Sequence, residues 1–309
     1  MTPGGNHRPP PAVLPEPLTA ALRSVRADSD LVVALSGGLD SVLLLHAAAA
    51  IHQHSGRNLS AIHINHQLQS NAAEMEQFCR ALCADLQVPL TVERVEVPLS
   101  ANELARAGGL EENARDARYR AFDQHLNDGE ILLLAHHGDD QLETVLFRLL
   151  RGTGVAGLGG MPRERALGRG RLYRPLLAFS RHQLEQWACD LQINWVDDPS
   201  NVDHIYDRNF LRGVVIPPLK ARWPNLLRRV QGTSDACRES EELAASLARI
   251  HYQKSGGCGG QVACGRPPQL DRGGAEKSAT LVGRAVRRLP RPHTDKLARD
   301  AAGFVVGGP

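Results

Sequence analysis

Apolar and polar positions follow different rhythms along the chain. Between residues 28 and 150, short apolar runs alternate with longer amphipathic ones. Leu31–Leu35 is apolar without a break, as a strand buried on both faces requires. Leu59–Asn65, the valine-rich Leu90–Val97 and Ile131–Ala135 read as further strands. Between them, Ser41–His54, Asn71–Gln87, Leu110–Leu126 and Gln141–Leu150 carry helical patterns. Asn71, with Glu74 three residues on, predicts a capping box at one helix start. Leu18–Val25 predicts a short helix lying over the sheet. The rhythm predicts an α/β fold, a doubly wound and mostly parallel sheet with helices on both faces.

From 152 to 170 the rhythm breaks. The stretch is rich in glycine, and Arg151, Arg163, Arg165, Arg169 and Arg171 lie in or beside it. It predicts a flexible basic loop able to clamp phosphate. Helical patterns resume at Ser180–Leu191, with Ser180 as cap, then at Asp207–Arg212 and Trp223–His251. We place boundaries accordingly: a disordered, proline-rich arm over 1–15, an α/β domain over 16–213, a helical domain over 214–254 and a tail over 255–309.

Composition changes this picture in three ways. The 36 basic and 34 acidic residues leave a net +2, so any contact with nucleic acid must be local. Residues 255–309 contain 11 Gly and 5 Pro, and their 9 basic and 4 acidic residues give +5. That composition predicts a disordered basic tail; an aberrant segment and a small folded domain are the alternatives. The six cysteines include no CxxC pair, and Cys79 and Cys83 read as buried thiols on one helix face. No apolar run approaches the ~20 residues of a membrane span, and no apolar leader is present, which predicts a cytoplasmic protein without a membrane partner.

The sharpest chemical signal is Ser36-Gly37-Gly38-Leu39-Asp40-Ser41, between a buried strand and a helix. Two glycines let the backbone approach an anion closely. Exposed N–H groups, two hydroxyls and the helix dipole then hold phosphate. Asp40 fits beside phosphate when a Mg²⁺ ion stands between them, which makes it the candidate metal ligand. No Gly-Lys-Ser/Thr ending is present, so this is not the phosphate loop of ordinary ATPases. Asp140 and Glu143, three apart at a helix start, share a face that suits an ammonium group or a metal. Arg115 and Arg118 share another, fit for phosphate or a carboxylate. His136 ends a strand at the sheet edge where ligands bind in open α/β folds, placed to relay a proton or polarise a nucleotide.

The run SGGLDS resembles the signature of the pyrophosphate-loop ATP family. Further along, His63-Ile64-Asn65-His66, the stretch from Glu111 to Tyr119, the run from Ala135 to Thr144, Arg151–Gly154, Arg174–Leu177 and Asp207–Arg212 together resemble bacterial tRNA(Ile)-lysidine synthases. The resemblance covers roughly residues 28–254. It implies that 16–213 is an ATP-binding catalytic domain acting on tRNA(Ile) with a CAU anticodon. ATP would adenylate the C2 oxygen of the wobble cytidine. The amine of free L-lysine would then displace AMP. It also implies roles: Ser36 to Ser41 and His63 for ATP, Asp140 and Glu143 for lysine, and Asp40, Arg115, His136 and Arg208 in catalysis, with Arg208 and Arg212 near the RNA. His63 and His66 would line the adenine pocket, although Gln67 departs from the family's residue there. The tail departs from the family's C-terminal recognition domain. A homodimer is compatible with the resemblance. A tRNA thiolase of the same ATP family and a catalytically silent RNA-binding relative are the rival readings.

Overall fold

The computed structural model describes residues 13–26, 28–52, 56–66, 71–95, 109–196 and 207–254. The first twelve residues of the expected arm, and the tail from 255, lie outside them. Contacts divide the chain into two units, Met1–His251 and Tyr252–Pro309. Every described strand belongs to the first unit.

Four strands arise where the apolar runs predict them: β1 (Leu31–Ala34), β2 (Leu59–Asn65), β3 (Leu90–Arg94) and β4 (Ile131–Leu133). They pair in parallel, with Leu31 of β1 beside both Leu59 and Ile131. β5 (Glu164–Leu167) and β6 (Gly170–Tyr173) extend the sheet to the order β3-β2-β1-β4-β6-β5. β6 is parallel to β4, and β5, at the edge, is the one antiparallel strand among the described residues. The chain leaves β1 in one direction through β2 and β3, then returns to β4 on its other side. That reversal opens a crevice at the strands' C-terminal ends.

Helices cover both faces. On one face lie α1 (Glu16–Arg23), α2 (Leu39–His52), α3 (Ala72–Asp85) and α7 (Arg181–Asp190), around Val33, Leu35 and Leu133. Helix α2 is buried on nearly every side, from Leu39 through Ala49, because it is packed between α1, α7 and the sheet. The other face carries α4 (Gly109–His125), whose Phe122 packs with the following Leu126 on Val32, Ile62 and Leu132. A third cluster joins α5 (Gly138–Leu150) to the C-terminal helices: Leu142 meets Leu211 and Ile216, with Leu226 and Val230 against them. Those helices are α8 (Asp207–Phe210), a π-helical turn (Leu211–Val215), α9 (Ile216–Arg222) and α10 (Leu226–Lys254).

Two local expectations are corrected. Asn71 occupies the N-cap position of α3, but its backbone sits near φ −95°, ψ 9° and its side chain caps nothing. A capping side chain needs extended backbone at that position. The glycine-rich stretch 152–170 is no loose loop. It holds α6 (Val155–Leu158), then the β5–β6 hairpin turning through Gly168 at φ +53°. Side chains from three directions fasten its backbone. Gln141 exchanges two hydrogen bonds with Met161, Arg148 donates to the carbonyls of Gly157 and Gly160, and Arg238 of α10 donates to those of Gly159 and Met161.

Candidate active site

A cavity of about 850 Å³ opens at the C-terminal ends of β1, β2 and β4, a volume that admits a nucleotide with room beside it. Its floor is the loop after β1. Gly37 has φ +90°, and a Cβ there would come within 2.5 Å of the Met75 sulfur, so shape and conformation both demand glycine. The loop is tied internally: the Ser41 hydroxyl donates to the Gly38 carbonyl at 2.9 Å and accepts from the Ser36 N–H at 3.1 Å. The Gly37 carbonyl accepts from Val196 N–H at 3.1 Å. The result is a pre-formed anion nest at the start of α2.

Asp40 faces this nest. One carboxylate oxygen pairs with Arg181 and lies 3.7 Å from Nε2 of His137. The other, Oδ1, is buried without a hydrogen-bond partner. Burial pushes the Asp40 pKa up, while His137 and Arg181 pull against it. An orphaned carboxylate oxygen beside a phosphate nest fits Mg²⁺, which takes one or two carboxylates and fills its remaining positions with phosphate oxygens and water. Among the described residues no cluster of three or more His, Cys, Asp or Glu offers a self-sufficient metal site.

Helix α5 supplies the acidic wall. Its first residue, Gly138, sits so close to the Phe179 carbonyl that a Cβ would lie 2.9 Å from that oxygen. His137 is the N-cap: its Nδ1 accepts from Asp140 N–H at 3.4 Å, and the Asp140 carboxylate accepts from His137 N–H at 2.9 Å. Asp139 pairs with Lys220 of α9 and accepts from Arg181 N–H at 2.8 Å. Burial pushes its pKa up, but the hydrogen bonds from Lys220 and Arg181 carry it below the ordinary value. Glu143, only 5 % exposed, receives both arms of the Arg212 guanidinium, Nε at 2.7 Å and Nη2 at 2.9 Å. Arg212 also reaches Asp140 at 3.5 Å. Burial pushes the Glu143 pKa up against the pull of Arg212.

Three histidines of the cavity wall, His63, His66 and His136, have their pKa values lowered. His63 makes a hydrogen bond between Nδ1 and the Leu35 carbonyl at 2.8 Å, and burial lowers its pKa. His66 is pushed down to about 4 by burial, Arg118 and His63. His136 is pushed down to about 3, chiefly by burial, with Arg174, Arg118 and Arg115 adding to it and Asp140 opposing. Arg174 Nε donates to His136 Nδ1 at 3.3 Å, so the ring proton of the neutral imidazole sits on Nε2. His136 is therefore a hydrogen-bond donor through Nε2.

The structure brings Ser36, Gly38, Leu39, Asp40, Ser41, His63, His136, Asp140 and Glu143 to the cavity wall. Gly37 turns the place of its missing side chain toward Met75, itself a residue of the cavity wall. Two expected site residues are elsewhere. Arg118 lines the cavity, while Arg115, one turn earlier on α4, stacks over Tyr119 with its guanidinium 5.0 Å from the ring centroid. Arg208 stacks over Phe147 at 5.6 Å, and the π-helical turn carries Arg212 into the cavity instead. Arg181 and Lys220 are wall residues that no motif announced, and Tyr119, the last residue of a motif, joins them without having been assigned a role.

The nest and all six strands fall within the reach of one family model. The PP-loop domain model covers residues 15–219. The chain belongs to the PP-loop domain family. A tRNA(Ile)-lysidine synthase of Pseudomonas aeruginosa is 44 % identical over 263 residues, which are 84 % of this chain and 56 % of that protein. One from Pseudomonas putida is 47 % identical over 219 residues, 71 % of this chain and 48 % of the relative. The chain thus spans about half the length of the curated relatives it matches. Among solved structures, the U34-tRNA thiolase NcsA from Methanococcus maripaludis with its [4Fe-4S] cluster superimposes with a TM-score of 0.58. It is 14 % identical and covers 72 % of this chain and 79 % of its own, a likeness of PP-loop fold alone. No helix among the described residues is long and apolar enough to cross a membrane.

Proposed function

We propose that this chain ligates free L-lysine to C2 of the wobble cytidine of tRNA(Ile) with a CAU anticodon, consuming ATP and releasing AMP and pyrophosphate. One observation carries the reading. A single cavity presents an anion nest at Ser36–Ser41 and a carboxylate pair at Asp140 and Glu143, one suited to phosphate and the other to an ammonium group. The names of the relatives support the same reading.

The C2 oxygen of the cytidine attacks the α-phosphorus of ATP, and pyrophosphate leaves. The amine of lysine then attacks C2, and AMP leaves. The base must leave its stack to expose C2. Ser36, Ser41 and the Gly38 N–H hold the departing pyrophosphate where negative charge accumulates. Mg²⁺, held by Asp40, supplies further charge neutralisation when bound. His136, neutral by burial, donates its Nε2 proton in a hydrogen bond to an oxygen of the reacting nucleotide. Asp140 and Glu143 take the lysine ammonium in exchange for Arg212. Glu143, its pKa pushed up by burial, accepts the proton that the attacking amine must shed. Residues 16–213 carry this chemistry, and the segment after 213 braces it through the packing of Ile216, Leu226 and Val230 on the cluster of Leu142 and Leu211.

The thiolase alternative has less support. Cys79 and Cys83 are buried on α3, and burial pushes their thiols up to about 12 and about 11, far from a reactive thiolate. The deciding assay is incorporation of labelled lysine into tRNA(Ile) bearing CAU, with tRNA(Met) as competitor. We expect pyrophosphate, AMP and lysine-modified tRNA in equal amounts. Pyrophosphate release indifferent to lysine would sink the proposal.

A further inference from the structure

Across the sheet edge from the anion nest, on the α4 side, arginines gather around one phenol. Tyr119 lines the cavity. Arg115 and Arg165, the latter on edge strand β5, each place a guanidinium 5.0 Å from its ring centroid. Arg115 and Arg174 each aim an Nη2 at its hydroxyl over 3.4 Å. Arg118 lies beside it on the wall.

Arg174 is only 2 % exposed, and its other N–H groups go to the Pro162 carbonyl at 2.7 Å and to His136. Among the described residues, no carboxylate pairs with Arg115, Arg165 or Arg174. A buried guanidinium without a counter-charge is costly, and neighbouring like charges add to the cost. Burial pushes the Tyr119 pKa up, yet Arg115, Arg174, Arg165 and Arg118 carry it below its ordinary value, a measure of the local positive field. A phenol that accepts from two guanidinium groups still has its own O–H to donate.

The charge also continues outward. Arg115 and Arg208 both act on Arg148, and Arg208 and Arg151 stack on Phe147 at 5.6 and 5.1 Å. Alternating arginine and aromatic groups suit a single strand of RNA, whose phosphates and bases alternate likewise.

We propose that Tyr119, Arg115, Arg118, Arg165 and Arg174 form a phosphate-binding site, occupied by one backbone phosphodiester of the RNA whose base enters the cavity. The forks of Arg115, Arg118 and Arg165 take the anionic oxygens, the buried Arg174 adds its charge from behind Tyr119, and the Tyr119 hydroxyl donates to one oxygen. The site deepens the tRNA reading above and depends on it only in that RNA is the ligand. The nest for pyrophosphate lies on the α2 side of the same cavity. Arg165, exposed on the edge strand, lies where a strand crossing the surface would meet it.

The test uses the full chain with Arg165→Ala, which changes an exposed residue, and Tyr119→Phe, which keeps the ring. Affinity for an anticodon stem-loop RNA is titrated at several salt concentrations. It is then repeated with a single neutral methylphosphonate at each loop linkage in turn. Arg165→Ala should weaken binding roughly tenfold or more, as for a lost charge-assisted contact. Tyr119→Phe should weaken it by a few-fold. In Arg165→Ala the slope of log affinity against log salt should shrink by about 0.7–0.9. One methylphosphonate position should weaken the wild type but cost Arg165→Ala nothing further. Wild-type RNA affinity and salt slope in both variants would overturn the proposal. So would a fall in ATP affinity with RNA binding unchanged, which would assign the phosphate to the nucleotide. Lysine incorporation by the wild type is scored separately. Its absence would remove the lysidine reading and leave the phosphate cycle readable.

Discussion

The two walls of the cavity treat charge in opposite ways. On the wall formed by the starts of α2 and α5, Asp40 pairs with Arg181, Asp139 with Lys220, and Asp140 and Glu143 with Arg212. On the α4 wall, Arg115, Arg165 and Arg174 surround Tyr119 with no carboxylate among their described partners. The first wall supplies its own counter-ions and can exchange them for an incoming cation. The second carries a surplus that a polyanion would neutralise. A net charge of +2 hides this separation, because the charges cancel over the chain and not within the cavity.

The largest test of the self-neutralised wall is Asp40→Asn. It removes the carboxylate with the orphaned Oδ1 and leaves Arg181 without its partner. Pyrophosphate release in Mg²⁺ buffer should fall by about two to three orders of magnitude, the scale of losing one transition-state electrostatic contact. A loss below tenfold would make Asp40 only an ion-pair partner of Arg181.

Next in size is the exchange of cations at Glu143. Arg212→Ala, Glu143→Gln and the double variant form a cycle. We expect a coupling of about 1–2 kcal/mol in unfolding free energy, modest because the Arg212 side chain is about half exposed. The sharper outcome concerns lysine. With the internal cation gone, free L-lysine should raise the melting temperature of Arg212→Ala more than that of the wild type. An equal shift in both would show that lysine does not compete with Arg212, and the acidic pair would then be structural.

How much of this is legible in the sequence depends on the kind of force involved. The strands β1, β2 and β4 and helix α2 are readable because apolar burial writes itself as runs and periods. The nest is readable because Gly37 and Gly38 have a local backbone reason. The 152–170 stretch reads as a loose loop, and is not one, because side chains hold it by its carbonyls. Gln141, Arg148 and Arg238 supply those bonds, and none of them lies within the stretch. The β5–β6 hairpin leaves one clue, Gly168 at the first place of a two-residue turn. Arg181 and Lys220 leave none, since their partners lie 141 and 81 positions away. Arg115 and Arg118 are indistinguishable by spacing, because both face the same side of α4 and only the packing of Tyr119 separates them.

A smaller effect tests the boundary between the walls, where His136 accepts from Arg174. Its pKa of about 3 lies far below the ordinary histidine value, so it stays neutral across the working range. The pH profile of kcat/KM should carry no limb near the ordinary histidine value of about 6.5 that disappears in His136→Gln. The glutamine keeps an N–H donor, and the rate should fall only by about two- to tenfold, the worth of one neutral hydrogen bond. If wild-type activity rises through that value and His136→Gln abolishes the rise, His136 is a base and the tautomer set by Arg174 is wrong.

The smallest effect belongs to Arg208, outside the cavity on the continuation of the basic wall. It stacks on Phe147 beside Arg151, and on the proposed reading it would meet RNA rather than the reacting atoms. Arg208→Ala should raise the KM for tRNA by a few-fold and reduce the salt slope by about 0.7–0.9, one phosphate contact. Its kcat at saturating tRNA should move much less than its KM. The alternative has a distinct signature: a kcat that falls while KM holds would mean that Arg208 swings into the cavity when RNA is bound. The catalytic role implied by the family resemblance would then stand, and the basic wall would extend into the chemistry instead of ending at Tyr119.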